Sequence, residues 1–253
     1  MPGLQVGLQT ALSRRPLNIG TVANFGSSGR CFGMAKIYIP TRTPLDWRAL
    51  LGDPDKHWRA GYSAMAAAQS WEAAAGLPPE IAAMFAPDAE LLLAIPEHKV
   101  PLPGRGAASQ CDVFALVRES DRRIAVAVEA KVAEPFDRTI GDWMRNASDG
   151  KRARLSAICD LLGCSNPPEE MYYQLFHRTA AAIIEARRFG TEAAAMIVQS
   201  FSQEHRWYDN FAAFCDFLGA SPNRNSPSTI TAPCGMPLIL GWATGDEVFL
   251  RER

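Results

Sequence analysis

Three side chains stand where their types and spacing could do chemistry together. Two strand-like runs, Asp112 to Arg118 and Arg123 to Val132, flank the polar turn from Glu119 to Arg122. Pairing Arg118 with Arg123 sets Asp112 opposite Glu129, and directly opposed residues share one face of a sheet. Lys131, two residues beyond Glu129, shares that face because strand side chains alternate. A one-residue slip would send the two carboxylates to opposite faces, so the expectation is sharp. Carboxylates side by side repel each other and lose hydration unless a cation is shared between them. Lys131 supplies one charge, and a divalent ion would supply the rest, since Mg²⁺ takes a few carboxylates plus waters and phosphate oxygens. The lysine could then orient or help deprotonate an attacking water and stabilise charge at phosphorus. The plainer reading of Glu129 and Lys131 is an ordinary ion pair at a sheet end, worth ~1 kcal/mol or less if exposed. The apolar run Ile124 to Val128 leading into them favours the buried, chemical reading.

The elements that must position these residues follow from the apolar pattern. Leu45 to Leu51 reads as a helical turn stopped by Gly52-Asp-Pro54, and Tyr62 to Ala75 as an Ala-rich helix ended by Gly76 and Pro78. A short helix from Pro79 to Phe85 precedes a strand, Glu90 to Ile95, bounded by Pro96, with Lys99 to Leu102 extending it after a break. The two runs that carry the trio are apolar at successive positions, as expected of strands covered on both faces. Helices follow at about Asp149–Leu162 and Pro168–Phe189, then a strand from Ala193 to Phe201 and an aromatic helix from Trp207 to Leu218. Residues 220–234 read as a loop. Pro237 to Ala243 and Glu247 to Arg251 read as a closing hairpin around Thr244-Gly-Asp246. This order predicts an α/β sandwich around a mixed sheet.

Asp112 followed by Glu129-Ala-Lys131 at the end of the next strand resembles the D…(D/E)-x-K motif of the PD-(D/E)xK nuclease superfamily, the restriction-endonuclease-like fold. The resemblance covers the αβββαβ order from about Tyr62 to Phe201. It implies a core of that type, a mixed central sheet flanked by helices, with an extra C-terminal helix and hairpin in this chain. It also implies metal-dependent hydrolysis of phosphodiester bonds, in DNA rather than RNA, with Mg²⁺ or Mn²⁺ held by Asp112 and Glu129 and with Lys131 catalytic. Members often carry a glutamate on the helix before the strands, and Glu72 matches that place as a third metal ligand. Gln174, with Arg178 four residues on, looks similar to the glutamine of the RecB-like nucleases and is expected to assist catalysis. Cys111 stands where the name-giving proline would be. The superfamily includes members that have lost catalysis, so a silent binding or regulatory module is the alternative.

Partners follow from charge. The 26 basic and 27 acidic residues exclude a chain that coats a polyanion over its whole surface, but not a local basic groove. Lys151, Arg152 and Arg154, with Arg145 just before, open a helix where cations oppose the dipole, so a nucleic-acid backbone is a natural counter-charge. Arg178 joins them as an expected phosphate contact. Trp207, Tyr208, Phe211, Phe214 and Phe217 recur at helical spacing and read as core. Cys111 with His98 or His177 as base would make a thiol hydrolase, but the adjacent acid raises the thiol's pKa and no cysteine-enzyme signature surrounds it.

No segment reaches the ~18 consecutive apolar residues of a membrane span. Six cysteines, with no C-x-x-C pair among them, make neither a disulfide scaffold nor a structural zinc site. The expectation is a cytoplasmic protein without a small-molecule cofactor. Residues 1–33, rich in Gly, Ser and Asn, read as a flexible tail, upstream even of the true start if that is Met34. Residues 34–253 are expected to form one domain.

Overall fold

The apolar runs between Glu90 and Lys131 form three consecutive antiparallel strands, β1 (Glu90–Val100), β2 (Ser109–Glu119) and β3 (Arg122–Lys131). The computed structural model describes residues 41–104 and 106–251. The tail expected at 1–33 lies outside the described residues. Before the strands come a 3-10 turn (Pro44–Leu50) and helices α1 (Pro54–His57), α2 (Ser63–Ala74) and α3 (Pro79–Ala82). After them come α4 (Ile140–Met144), α5 (Asp149–Leu162), α6 (Tyr173–Phe189), β4 (Ala193–Ser200), α7 (Tyr208–Phe217), β5 (Ser228–Thr231), β6 (Pro237–Thr244) and a 3-10 turn (Glu247–Leu250).

The six strands form one mixed sheet in the order β1-β2-β3-β4-β6-β5. β4 runs parallel to β3 and to β6, and the other neighbours are antiparallel. A parallel step needs a crossover, which α4 to α6 provide between β3 and β4. β3 is buried on both sides, as its unbroken apolar run requires. Ile124, Val126 and Val128 pack with Trp71, Ile81 and Met84 of the layer that holds α2 and α3. Ala125 and Ala127 pack in the layer of α5, α6 and α7, where Ala180, Ala181 and Ala182 let α6 sit close to the sheet.

Two expectations are corrected. The strand expected to break at Pro96 and resume at Lys99 instead runs through to Val100, with Pro96 paired to Val113. β1 is an edge strand, where a missing N–H costs no ladder bond on the open side. The C-terminal hairpin is also different. β6 already has β4 on one side and β5, from the expected loop, on the other, so Glu247–Leu250 has no strand edge to join. It turns instead, with Asp246 Oδ1 accepting from Val248 N at 2.8 Å. Among the described residues no helix is long and apolar enough to cross a membrane.

Packing around β6 is tight enough to test. A Cβ at Gly241 would lie 2.8 Å from both Ile197 Cδ1 and Met84 Sδ. Gly241→Ala is therefore expected to lower the unfolding free energy by about 1–3 kcal/mol, the usual cost of overpacking. A urea titration showing an unchanged midpoint would contradict this packing.

Candidate active site

The β2–β3 register runs from Arg118↔Arg123 to Val113↔Val128, so one more step brings Asp112 beside Glu129. The expected pairing is the one found. The backbone ladder stops there, and Asp112 Oδ2 continues it by accepting from Ala130 N at 2.6 Å. On the other flank β1 pairs Pro96 with Val113 and His98 with Cys111, which leaves Glu97 opposite Asp112. Glu97 has φ 53, a left-handed backbone that side chains of its kind rarely adopt. The pleat slips at this point: Phe114 and Cys111, three apart, both belong to the α6-side core. Three neighbouring strands thus each bring one acid to the same place, through a local strain of the sort that collects at functional sites. Glu97 was not anticipated from sequence, because Pro96 reads there as the end of a strand.

Two buried cations are built into the same row. Lys131 Nζ donates to Glu129 Oε1 at 2.5 Å, and Arg178 Nε donates to Glu129 Oε2 at 2.5 Å. Glu129, Lys131 and Arg178 are 2%, 4% and 6% exposed, so solvent screens these pairs little. The lysine also lies 5.2 Å from the centre of the Phe136 ring. Arg178 Nη1 donates to Ser109 Oγ at 2.8 Å, which fixes the guanidinium plane.

The electrostatics divide the three acids. Burial works to raise Glu129, but Arg178 and then Lys131 outweigh it and hold the carboxylate at about 2. Burial, then repulsion from Glu129 and Glu97, pushes Asp112 well above the ordinary aspartate range. Burial also pushes Glu97 up to about 7, against the Gln110 amide that donates to it at 2.5 Å. Near neutrality the row therefore retains protons where a further cation would otherwise be needed.

These groups line a cleft of about 580 Å³ at the end of β3, closed by α1, the start of α2 and α6. Gln174, one helical turn before Arg178, also lines it, and its Oε1 is buried without a hydrogen-bond partner. Six carboxylates line the cleft (Asp53, Glu97, Asp112, Glu129, Glu134 and Asp137) against Lys56, Lys131 and Arg178. Glu134 is already committed, accepting from Ser63 N at the start of α2 and from Ala133 N. The cleft is thus acidic overall and suits a cation more than a bare phosphate.

The other candidates are placed elsewhere. Glu72 lines a separate cleft, and its Oε1 accepts from Trp47 Nε1 at 2.7 Å and Thr41 Oγ1 at 2.6 Å. It lies roughly 12 Å along α2 from Ala64, the last residue of that helix to reach the acidic cleft. Arg145 pairs with Asp142 and Arg152 with Asp149, each satisfied within its own turn. Arg154 is buried, with Nη1 on the Ala107 carbonyl. Lys151 donates to the Trp143 carbonyl and lies over that ring. None of these four lines the acidic cleft. The Cys111 thiol is buried and pushed up to about 12, chiefly by that burial, so it is no nucleophile.

Mg²⁺ or Mn²⁺ suits this donor set in chemistry. The oxygens are hard, and a divalent ion would offset the repulsion from Glu129 that adds to burial in holding Asp112 protonated. Among the described residues, no three His, Cys, Asp or Glu side chains form a ready-made ligand group as they stand. Glu129 in particular has both oxygens on cations of the chain.

Residues 40–247 match the profile of a domain family described as a domain of unknown function (DUF6946). No curated protein and no solved structure matches the chain.

Proposed function

The chain belongs to the DUF6946 family, and we propose that its acidic cleft is the centre of a metal-dependent nuclease, hydrolysing phosphodiester bonds in DNA rather than RNA. One observation carries the reading: Asp112, Glu129, Lys131 and Gln174, from two strands and a later helix, line a single cleft. The succession of α2, three antiparallel strands, helices and a fourth strand parallel to the third supports a restriction-endonuclease-like core.

Asp112 and Glu129, with Glu97 alongside, would hold Mg²⁺ or Mn²⁺, which supplies charge at the phosphate and a more acidic water. The chain's own residues do the rest. Lys131 Nζ is the donor that positions the attacking water and meets the charge developing on phosphorus. Gln174 Oε1, a buried acceptor without a partner, takes a hydrogen from that water or from a sugar hydroxyl. Arg178 keeps Glu129 ionised and aimed. Because the cleft is acidic, a polyanionic substrate binds productively only with the metal, and its affinity falls with salt.

The second reading is a catalytically silent binding module. It is favoured by the neutralisation of Glu129 inside the chain by Lys131 and Arg178. Cleavage separates the two. With Mn²⁺ or Mg²⁺ and single-stranded DNA, double-stranded DNA or RNA, the wild type should cut DNA best. Lys131→Met should lose at least about 100-fold in rate, the scale of one donor to a developing charge. Wild type that binds nucleic acid but cuts none of the three with either metal would establish the silent module instead.

A further inference from the structure

A further cavity, of about 230 Å³, lies next to the acidic cleft and has the opposite electrostatic character. Its titratable lining is Lys151, Arg154, Tyr173 and His177, without a carboxylate among the residues that line it. Arg154 and Tyr173 are each 6% exposed, and the guanidinium lies against the phenol oxygen, yet neither Arg154 Nε nor Tyr173 Oη finds an acceptor of good geometry for its hydrogen within the protein. Both atoms carry a hydrogen to donate, and a buried donor left unpaired is unfavourable. His177 adds a third polar side chain to the lining. Its Nδ1 stands 2.9 Å from Ser109 Oγ and 3.4 Å from Arg178 Nη1, which can only donate, so the ring proton sits on Nε2. Lys151 brings a second full positive charge, held over the Trp143 ring at 5.1 Å.

Two cations and a set of hydrogen-bond donors with no acid call for a multiply charged anion with several acceptor oxygens. The cavity is smaller than those that take whole drug-sized ligands, so it suits a group, not a nucleoside. We infer that the Lys151–Arg154–Tyr173 cavity is a phosphate-binding subsite, anchoring one phosphate of the ligand beside the acidic cleft. The two cavities share a wall: His177 lines one, Arg178 lines the other, and Ser109 Oγ bonds to both side chains. Phosphate binding itself does not need the metal cleft. The inference rests on the nuclease reading only in naming nucleic acid as the bearer of that phosphate.

Calorimetry on the full-length chain in EDTA, with inorganic phosphate as probe, tests it. Wild type should bind one phosphate saturably, and Lys151→Gln should weaken binding about tenfold or more, as loss of a charged hydrogen-bond partner does. Tyr173→Phe should do likewise while keeping the ring stack on Trp143, whose centroids are 3.9 Å apart. Both variants spare the Gly104 and Ala107 carbonyls that Arg154 holds. No saturable binding by wild type, or binding by both variants equal to wild type, would overturn the inference. Short oligonucleotides with a 5′-phosphate or a 5′-hydroxyl identify the source. A preference for the phosphorylated end that disappears in Lys151→Gln assigns a terminal phosphate. Equal affinities, both weakened by Lys151→Gln, assign a backbone phosphate. Because phosphate binding is read without metal and cleavage with Mn²⁺ or Mg²⁺, phosphate binding in EDTA with no cleavage in the metal-containing assay sinks the nuclease reading alone, and cleavage there without phosphate binding in EDTA sinks this inference alone.

Discussion

Glu129→Ala is expected to lower the unfolding free energy by about 3–5 kcal/mol, the cost of leaving buried charges without a partner. The size follows from the row at the end of β3. Removing the carboxylate strands Lys131 and Arg178 together, at 4% and 6% exposure, with the uncharged Ser109 hydroxyl and His177 ring nitrogen left to the arginine. Urea unfolding should show a lower midpoint at an unchanged slope. The triple replacement Glu129→Leu, Lys131→Met, Arg178→Met should recover most of the loss, because well-packed apolar groups commonly match or exceed a buried ion triad in stability. That recovered protein should be inactive in cleavage. Stability of Glu129→Ala within ~1 kcal/mol of wild type would mean the three charges are not coupled as described.

The second large effect is a fall in stability as pH rises, to which Glu97 and Asp112 both contribute. An unfolded glutamate titrates near 4.3. In the fold Glu97 is raised to about 7, so the native state keeps a proton that the unfolded chain releases. Stability is then undiminished below about pH 4.5 and declines as pH rises to 7, by on the order of 2–3 kcal/mol. Asp112, also raised, acts in the same direction. Glu129 acts oppositely: held at about 2, it contributes above about pH 4.5 and loses that contribution only as the pH falls toward 2. Thermal unfolding of the metal-free chain should therefore show a midpoint roughly 5–10 °C lower at pH 8 than at pH 5. Glu97→Gln should flatten its share of that slope, being more stable than wild type at pH 8 and close to it at pH 5, with the remainder belonging to Asp112. A slope that Glu97→Gln leaves unchanged would place the excess protons elsewhere.

The centre of the site was legible because its geometry is local. A short turn joins two strands whose arginines at 118 and 123 mark the register, and the acids follow by counting. What depended on distant packing was not legible. Glu97 follows a proline, and only the edge position of β1 lets the strand run through Pro96 and kink at the acid. Glu72 lies on an Ala-rich helix with no polar stripe to show which way it faces, and Trp47, 25 residues earlier, claims it. In the basic run after Ser148, Arg154 is drawn inside by carbonyls of the Gly104–Ala107 loop, whereas Arg152 remains outside on Asp149. β5, Ser-Thr-Ile-Thr, has too little apolar content to announce a strand and exists because β6 offers it an edge.

The claim on which the rest depends is that the acids of β1, β2 and β3 share a divalent cation. Isothermal titration of the full-length chain with Mn²⁺ at pH 8 measures it directly. Wild type should bind one ion at this row, with proton release that shrinks as the pH is raised above 7, and Asp112→Asn should weaken binding by more than about tenfold, as loss of an ordering carboxylate does. Wild type that takes up no Mn²⁺, or Asp112→Asn that binds it as tightly as wild type, would contradict the account.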